Sequence, residues 1–188
     1  MKRNLPLIVL SVVALLLVNG PVAAKPFGVT LIPPPEGSDA TQVMAINALG
    51  HVAGNYITPS GRPRAFVHRD GVSTALPEPD GTTGSGAAGI NASGVVVGTR
   101  RAVDLRACVW SGGTVTVLPA PAGARDTSAD AINDAGLIVG SYTDASFNSH
   151  VCLWQDGNLV YPAEPNGATG SAAVSVGNDG RFVGYSRS

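Results

Sequence analysis

Short apolar stretches closed by turn signals run along most of this chain, and one such pair of stretches appears four times. The first copy runs from Ile46-Asn47 through Gly50 to Val52-Ala53-Gly54, and the second from Ile90-Asn91 through Gly94 to Val96-Val97-Gly98. The third runs from Ile132-Asn133 through Gly136 to Ile138-Val139-Gly140, and a weaker fourth from Val176-Gly177 through Gly180 to Phe182-Val183-Gly184. Each copy reads as a β-hairpin, because Asn, Asp and Gly accept the left-handed angles of tight turns while β-branched residues suit the flanking strands. The hairpin cores are expected at 42–56, 86–100, 128–142 and 172–186. A glycine closing each copy inside its second strand predicts a bulge or a close backbone approach.

Two further strands follow in the first three copies. Arg64-Ala65-Phe66-Val67-His68, Arg106-Ala107-Cys108-Val109-Trp110 and His150-Val151-Cys152-Leu153-Trp154 hold equivalent places, and each leads into a turn rich in Asp or Gly. The next strand is Val72 to Leu76, Val115 to Leu118 or Leu159 to Tyr161, ended by Pro77, Pro119 or Pro162, which cannot donate to a ladder. Four short strands in just over forty residues is the content of one propeller blade. The expected fold is therefore all-β, a β-propeller-like array of four repeats. Val29-Thr30-Leu31-Ile32-Pro33 matches Val115 to Pro119 and is expected to be a strand that closes a small four-bladed ring. An open array and a ring completed by a second chain are the alternatives.

These hairpins and strands resemble the HAF extracellular repeat family, whose unit joins an Ala-x-x-Ile-Asn-x-x-Gly-x-Val-Val-Gly hairpin to a His-Ala-Phe-Leu-Trp strand. The resemblance spans nearly the whole chain after its first residues. It departs from the pattern at Cys108, Cys152 and His68, and the family offers no catalytic residues to carry over. It implies an exported, propeller-like protein.

The start of the chain points the same way. Lys2 and Arg3 precede an apolar run from Leu5 to Val18, then Asn19-Gly20-Pro21 and the small residues Val22-Ala23-Ala24. That is the layout of a signal peptide over 1–24, with the mature chain, one repeat domain over 25–188, starting at Lys25. The run is short for a membrane span, so none is expected after cleavage. Secretion, a periplasmic place or the cell surface of a bacterium follows as the expected location.

Composition narrows the function. The 188 residues carry a net charge of −1, and the scattered charges give no electrostatic reason to bind nucleic acid. No cofactor, metal or catalytic constellation is expected. His51, His68 and His150 fill three different slots of the repeat, whereas zinc needs ligands that converge. Gly84-Ser85-Gly86-Ala87-Ala88-Gly89 matches a dinucleotide-binding string but lacks the helix that mechanism needs, and is expected to be a loop. Asp126, Asp130 and Asp134 fall in a loop, a strand and a turn. Cys108 and Cys152 sit at matching places in consecutive repeats, where buried thiols are expected over a bridge.

The segments Asn55 to Pro63, Thr99 to Leu105 and Ser141 to Ser149 vary in length and sequence, as binding loops on a rigid scaffold do. Tyr56, Arg100, Arg101, Asp104, Tyr142 and Phe147 are the binding candidates they supply. The leading expectation is an exported, non-enzymatic binding or interaction module whose partner is an extracellular ligand or protein. Two alternatives stand beside it. One is an extracellular enzyme acting on glycan or peptide with the loop acids Asp104, Asp126 and Asp144. The other is a structural repeat domain that completes a larger ring as a homo-oligomer.

Overall fold

The computed structural model describes residues 28–38, 40–164 and 166–188. It divides into two units, Met1–Leu31 and Ile32–Ser188, and all the described strands lie in the second. The expected signal peptide and the start at Lys25 lie outside the described residues. The described part is all-β: four antiparallel sheets, each a simple meander in chain order. The first sheet holds β1 (Ala40–Ile46), β2 (Val52–Ile57), β3 (Pro63–Arg69) and β4 (Val72–Ala75). The second holds β5 (Gly84–Ile90), β6 (Val96–Arg101), β7 (Leu105–Ser111) and β8 (Thr114–Val117). The third holds β9 (Asp126–Ile132), β10 (Ile138–Thr143), β11 (Ser149–Gln155) and β12 (Asn158–Val160), and the fourth only β13 (Gly170–Val176) and β14 (Phe182–Arg187).

The four expected hairpins are β1–β2, β5–β6, β9–β10 and β13–β14, with Ile46, Ile90, Ile132 and Val176 at the same place at the end of each first strand. Every first strand carries one extra residue, at Met44, Ala88, Asp130 or Val174, where the register shifts. Such a bulge bends the strand and tightens the local approach of the pair. Its cost falls on the closing glycine. A Cβ at Gly98, Gly140 or Gly184 would lie 2.0 Å from a carbonyl oxygen of the first strand, and one at Gly54 2.5 Å from the oxygen of Gln42. No side chain fits there.

Successive sheets stack through three apolar layers. Ala53, Ala65, Val67 and Leu76 of the first repeat meet Ala87, Ile90, Val96, Cys108 and Trp110 of the second. Val97, Ala107 and Leu118 meet Ala129, Ile138, Cys152 and Trp154. Val139, Val151 and Leu153 meet Ala173. Cys108 and Cys152 thus belong to different layers, and both are free and buried. Burial pushes their thiols up to about 11 and about 12, with the charge of Asp130 adding to the effect at Cys152.

Polar side chains stitch the same sheets together in three repeating ladders. In the first, Asn47 donates to the carbonyl of Asn91 (2.8 Å), Asn91 to that of Asn133 (3.2 Å) and Asn133 to that of Gly177 (3.0 Å). Each of these side-chain oxygens also accepts from its own turn, at the N–H of His51, Val95 or Leu137. In the second ladder, buried hydroxyls of Ser85, Thr127 and Ser171 accept from the N–H groups of Ala65, Ala107 and Val151 in the preceding sheet. In the third, the indoles of Trp110 and Trp154 donate to the carbonyls of Pro77 and Pro119. His68 is too short for that reach. It bonds Ser73, and Ser73 donates to the carbonyl of Pro33, which places Pro33 as the first member of the series.

Three expectations are corrected here. Asp126, expected in a loop, opens β9 and pairs with Thr143. Gly84–Ile90 is a strand and no loop; its glycines let neighbouring sheets close in, with a Cβ at Gly84 falling 3.0 Å from Pro63 of the first sheet and one at Gly89 3.3 Å from Ala131 of the third. Val29–Ile32 carries no strand, although Pro33 keeps its expected place. Among the described residues no strand of the first sheet pairs with the fourth, and no closed ring is formed.

Candidate functional site

A four-stranded meander sends its second turn and its exit to the same edge, so the loops 58–62, 102–104 and 144–148 share an edge with the links between sheets. Hydrogen bonds tie the two sets together. Arg62 donates to the carbonyl of Thr83 (3.0 Å), Arg106 to that of Arg125 (2.7 Å), and Asp126 accepts from the N–H of Leu105 (2.8 Å).

The loops are shorter than the variable segments read from the sequence, because the strands reach Ile57, Arg101 and Thr143. This moves most of the candidates. Tyr56 is a buried β2 residue packed edge-on against Phe66 (centroids 6.4 Å apart), and it is no part of a surface loop. Arg100 and Arg101 lie in β6. Arg100 pairs with Asp104 (3.4 Å), which also holds Arg106 (2.8 Å), so this carboxylate is spent on organising its loop. Arg101 is exposed and lines a cavity of about 300 Å³ with Gln42, Asn55 and Thr99. Tyr142 lies in β10, half-buried. Phe147 alone sits at a loop tip, exposed, with a backbone φ of 66°.

Tyr142 and Phe147 nevertheless belong to an uneven distribution of the fold's aromatic residues. Tyr56, Phe66, Trp110 and Trp154 are buried. The described aromatics open to solvent are Tyr142, Phe147, Tyr161, Phe182 and Tyr185, and all belong to the third and fourth sheets and their loops. The Arg125 guanidinium stands 4.1 Å over the Phe147 ring. Phe147, Tyr185 and Arg187 line a cavity of about 190 Å³, and Phe182 and Tyr185 line another of about 240 Å³ with Val151 and Glu164.

At the centre of this end sits His150. Its Nε2 faces Asp144 (3.3 Å), its Nδ1 faces Glu164 (3.2 Å), and its ring stacks on Tyr142 with centroids 5.0 Å apart. Burial works against its charge, but the hydrogen bonds to Asp144 and Glu164 prevail and raise its pKa above the usual imidazole value. Both ring nitrogens meet an acceptor, which suits the doubly protonated form. Asp144 is held below the ordinary carboxylate range, chiefly by the N–H of Asn148. Glu164 is also lowered: burial opposes its charge, and the hydrogen bonds from Ser171 and His150 outweigh it.

Serine, histidine and two carboxylates in contact invite a catalytic reading, and the geometry opposes it. Ser171 donates to Glu164 (2.6 Å) while accepting the N–H of Val151, and it is buried. Ser85 does the same with Glu78 (2.7 Å) and Ala65, where Arg64 takes the place of His150 (3.2 Å from Glu78). The group is a repeat feature that joins sheets, and its buried hydroxyl is held between the carboxylate and the N–H of the preceding sheet. Among the described residues no cluster of His, Cys, Asp and Glu has the form of a metal site.

No protein-family model matches the chain, and no curated protein matches it.

Sequence reasoning missed Tyr161, Phe182, Tyr185, Arg125, Arg187 and Glu164. One signal was available: Glu78 precedes Ser85 by the same interval as Glu164 precedes Ser171. The aromatic clustering depends on which rings the stack covers, and no linear pattern carries that.

Proposed function

We propose that this chain is an exported, non-enzymatic binding module of HAF-repeat type, with its sheets stacked as successive blades of a propeller-like array. Its ligand surface is the end formed by the third and fourth sheets, and the ligand comes from outside the cell. The observation that carries this reading is the gathering of solvent-open rings at that end, beside two cavities and Arg125 and Arg187. Aromatic faces and arginine are the side chains that concentrate at recognition surfaces. The acids that an enzyme would need are already engaged: Asp104 by two arginines, Asp126 by the N–H of Leu105, Asp144 by its own loop and His150.

The test is an array of extracellular glycans and peptides probed with the purified protein and with a Phe147→Ser/Tyr161→Ser variant. Selective binding that the variant loses while its melting temperature holds supports the reading. Equal binding by both proteins, or turnover that Asp104→Asn, Asp126→Asn or Asp144→Asn abolishes, refutes it.

A second reading has its own observation. Val43 and Ile46 on the first sheet, and Val183 on the fourth, are exposed at positions where Ala87, Ile90, Val97 and Val139 are buried in the inner sheets. Two copies stacked head to tail would cover them and make a larger ring. Light scattering decides it: a stable dimer that Ile46→Asp disperses supports this assembly, and a monomer across the concentration range excludes it.

A further inference from the structure

Among the described residues, the second strand is flanked on both sides in the first three sheets and on one side in the fourth. β3, β7 and β11 pair with β2, β6 and β10 in one shared register, which sets Phe66 opposite Gly54, Cys108 opposite Gly98 and Cys152 opposite Gly140. The same register sets His68, Trp110 and Trp154 opposite Val52, Val96 and Ile138. β14 pairs with β13 alone among the described residues. Its other edge offers a row of backbone donors and acceptors along Phe182–Arg187.

That edge keeps the features that seat a third strand elsewhere. Gly184 is bare because β13 already excludes a Cβ there, and this leaves open the kind of seat that Gly54 offers the Phe66 ring, where a Cβ on the glycine would fall 2.6 Å from the ring. The cavity of about 240 Å³ runs along β14 over Phe182, Gly184 and Tyr185, and its far wall is Val151 and Ala163. Val151 is the counterpart of Ala107, which packs in the same layer as Cys152 in the sheet pair before. Ala163 stands as far ahead of Ser171 as Pro77 stands ahead of Ser85 and Pro119 ahead of Thr127. Those two prolines supply the carbonyls that accept the indoles of Trp110 and Trp154.

We propose that the free edge of β14 is a strand-addition site for an extended segment of another polypeptide. The segment has the pattern of the third strands: a Phe or Cys opposite Gly184, and a Trp two residues on, opposite Phe182, with its indole toward Ala163. Ladder hydrogen bonds supply the affinity and the two seats the specificity, as in other cases of an added strand. A long apolar edge left open would otherwise pair without selection. This inference rests on the binding-module reading and names its ligand class.

The probe is a fluorescent synthetic peptide of residues 149–155 carrying Cys152→Phe, titrated against the purified protein by fluorescence polarisation. Amide exchange is followed at Phe182–Arg187. Saturable binding with new protection in β14 is expected. Ala163→Trp, which fills the groove, weakens it at least tenfold, and so does N-methylation of the peptide backbone, which leaves the protein untouched. Val43→Asp, on the first sheet, leaves it unchanged. No binding to folded protein, or binding that ignores both N-methylation and Ala163→Trp, overturns the inference. Protection of β14 that grows with protein concentration and no peptide assigns the edge to a second copy, and overturns it too. If the peptide fails while the glycan and peptide array still depends on Phe147 and Tyr161, only the strand-addition site falls.

Discussion

Replacing Gly98 by alanine puts the bulge argument at risk directly. The new methyl would sit 2.0 Å from the carbonyl oxygen of Gly86 and 2.9 Å from the Cα of Ala87. Both are backbone atoms, so no side chain can turn away to make room. Restoring an ordinary contact requires β5 and β6 to part by about 1.4 Å, a large displacement for strands that sit about 4.8 Å apart. Two or three ladder bonds around the bulge would be lost at about 1 kcal/mol each. Overpacking adds about 1–3 kcal/mol, since both strands are clamped between neighbouring sheets. The expected loss is about 4 kcal/mol, a large share of a stability of about 5–15 kcal/mol. Gly136→Ala is the comparator: its φ is +83° but nothing lies within 4 Å of the added methyl, so only the left-handed penalty of about 1–2 kcal/mol applies. Urea unfolding of both variants, with the slope checked for two-state behaviour, measures the difference. A Gly98→Ala variant within 1 kcal/mol of the parent, or no worse than Gly136→Ala, would show that the close approach does not constrain the hairpin.

Asn91→Ala removes a buried side chain that donates to Asn133 and accepts from Val95 and Ser93, and should cost about 2–4 kcal/mol in urea unfolding because the turn N–H is left unpaired. Melts across pH should show the third and fourth sheets most stable between the Glu164 and His150 titrations. The raised pKa of His150 gives stability that is complete below the ordinary imidazole value and lost as pH rises through the folded one, while the lowered pKa of Glu164 gives stability lost as pH falls through its folded value. His150→Arg, copying Arg64 and Arg106, should flatten the alkaline limb alone; an unchanged limb would remove His150 as its cause. Neither Cys108 nor Cys152 should react with a thiol reagent at pH 8 in the folded protein, and both should react in denaturant; rapid labelling of native protein would contradict their burial.

Much of the fold was legible because the repeat states each element several times. Asn with Gly marked the turns, and the closing glycine marked the close backbone approach, while the bulge itself lies in the partner strand. Proline after the fourth strand marked the exits, and even Pro33 fell into its series. The failures share a physical cause. Val29–Ile32 has the apolar alternation of a strand, but pattern alone provides no partner, and a strand needs one. Gly84–Gly89 matches a string whose usual place is a loop before a helix, whereas here it is a strand whose Gly84 and Gly89 lie against Pro63 and Ala131 of the flanking sheets. The site was the least legible part. Tyr56 and Tyr185 are the same residue type in hairpin second strands, yet one is buried and the other open. Tyr56 falls two residues after its closing glycine and Tyr185 one, so their rings point to opposite faces of their sheets.

The ladders give the stack a direction, and the direction bears on how its last sheet can be used. Each Asn reaches forward to the next turn, and the series ends at Gly177, which accepts from Asn133 but has no side chain to pass on. A fifth sheet stacked on the fourth would therefore lack the polar tie that joins every earlier pair. Gly184, by contrast, is bare because a Cβ there would lie 2.0 Å from the oxygen of Ala172, and the open side this leaves is used by no strand among the described residues. The fourth repeat thus has glycine in place of the stacking asparagine and an open seat at its edge. A restored tie should shift that balance. Gly177→Asn should favour head-to-tail association in light scattering while leaving peptide affinity at β14 unchanged. If it changes neither the association nor the melt, the ladder adds nothing to the sequence of sheets beyond what apolar packing already sets.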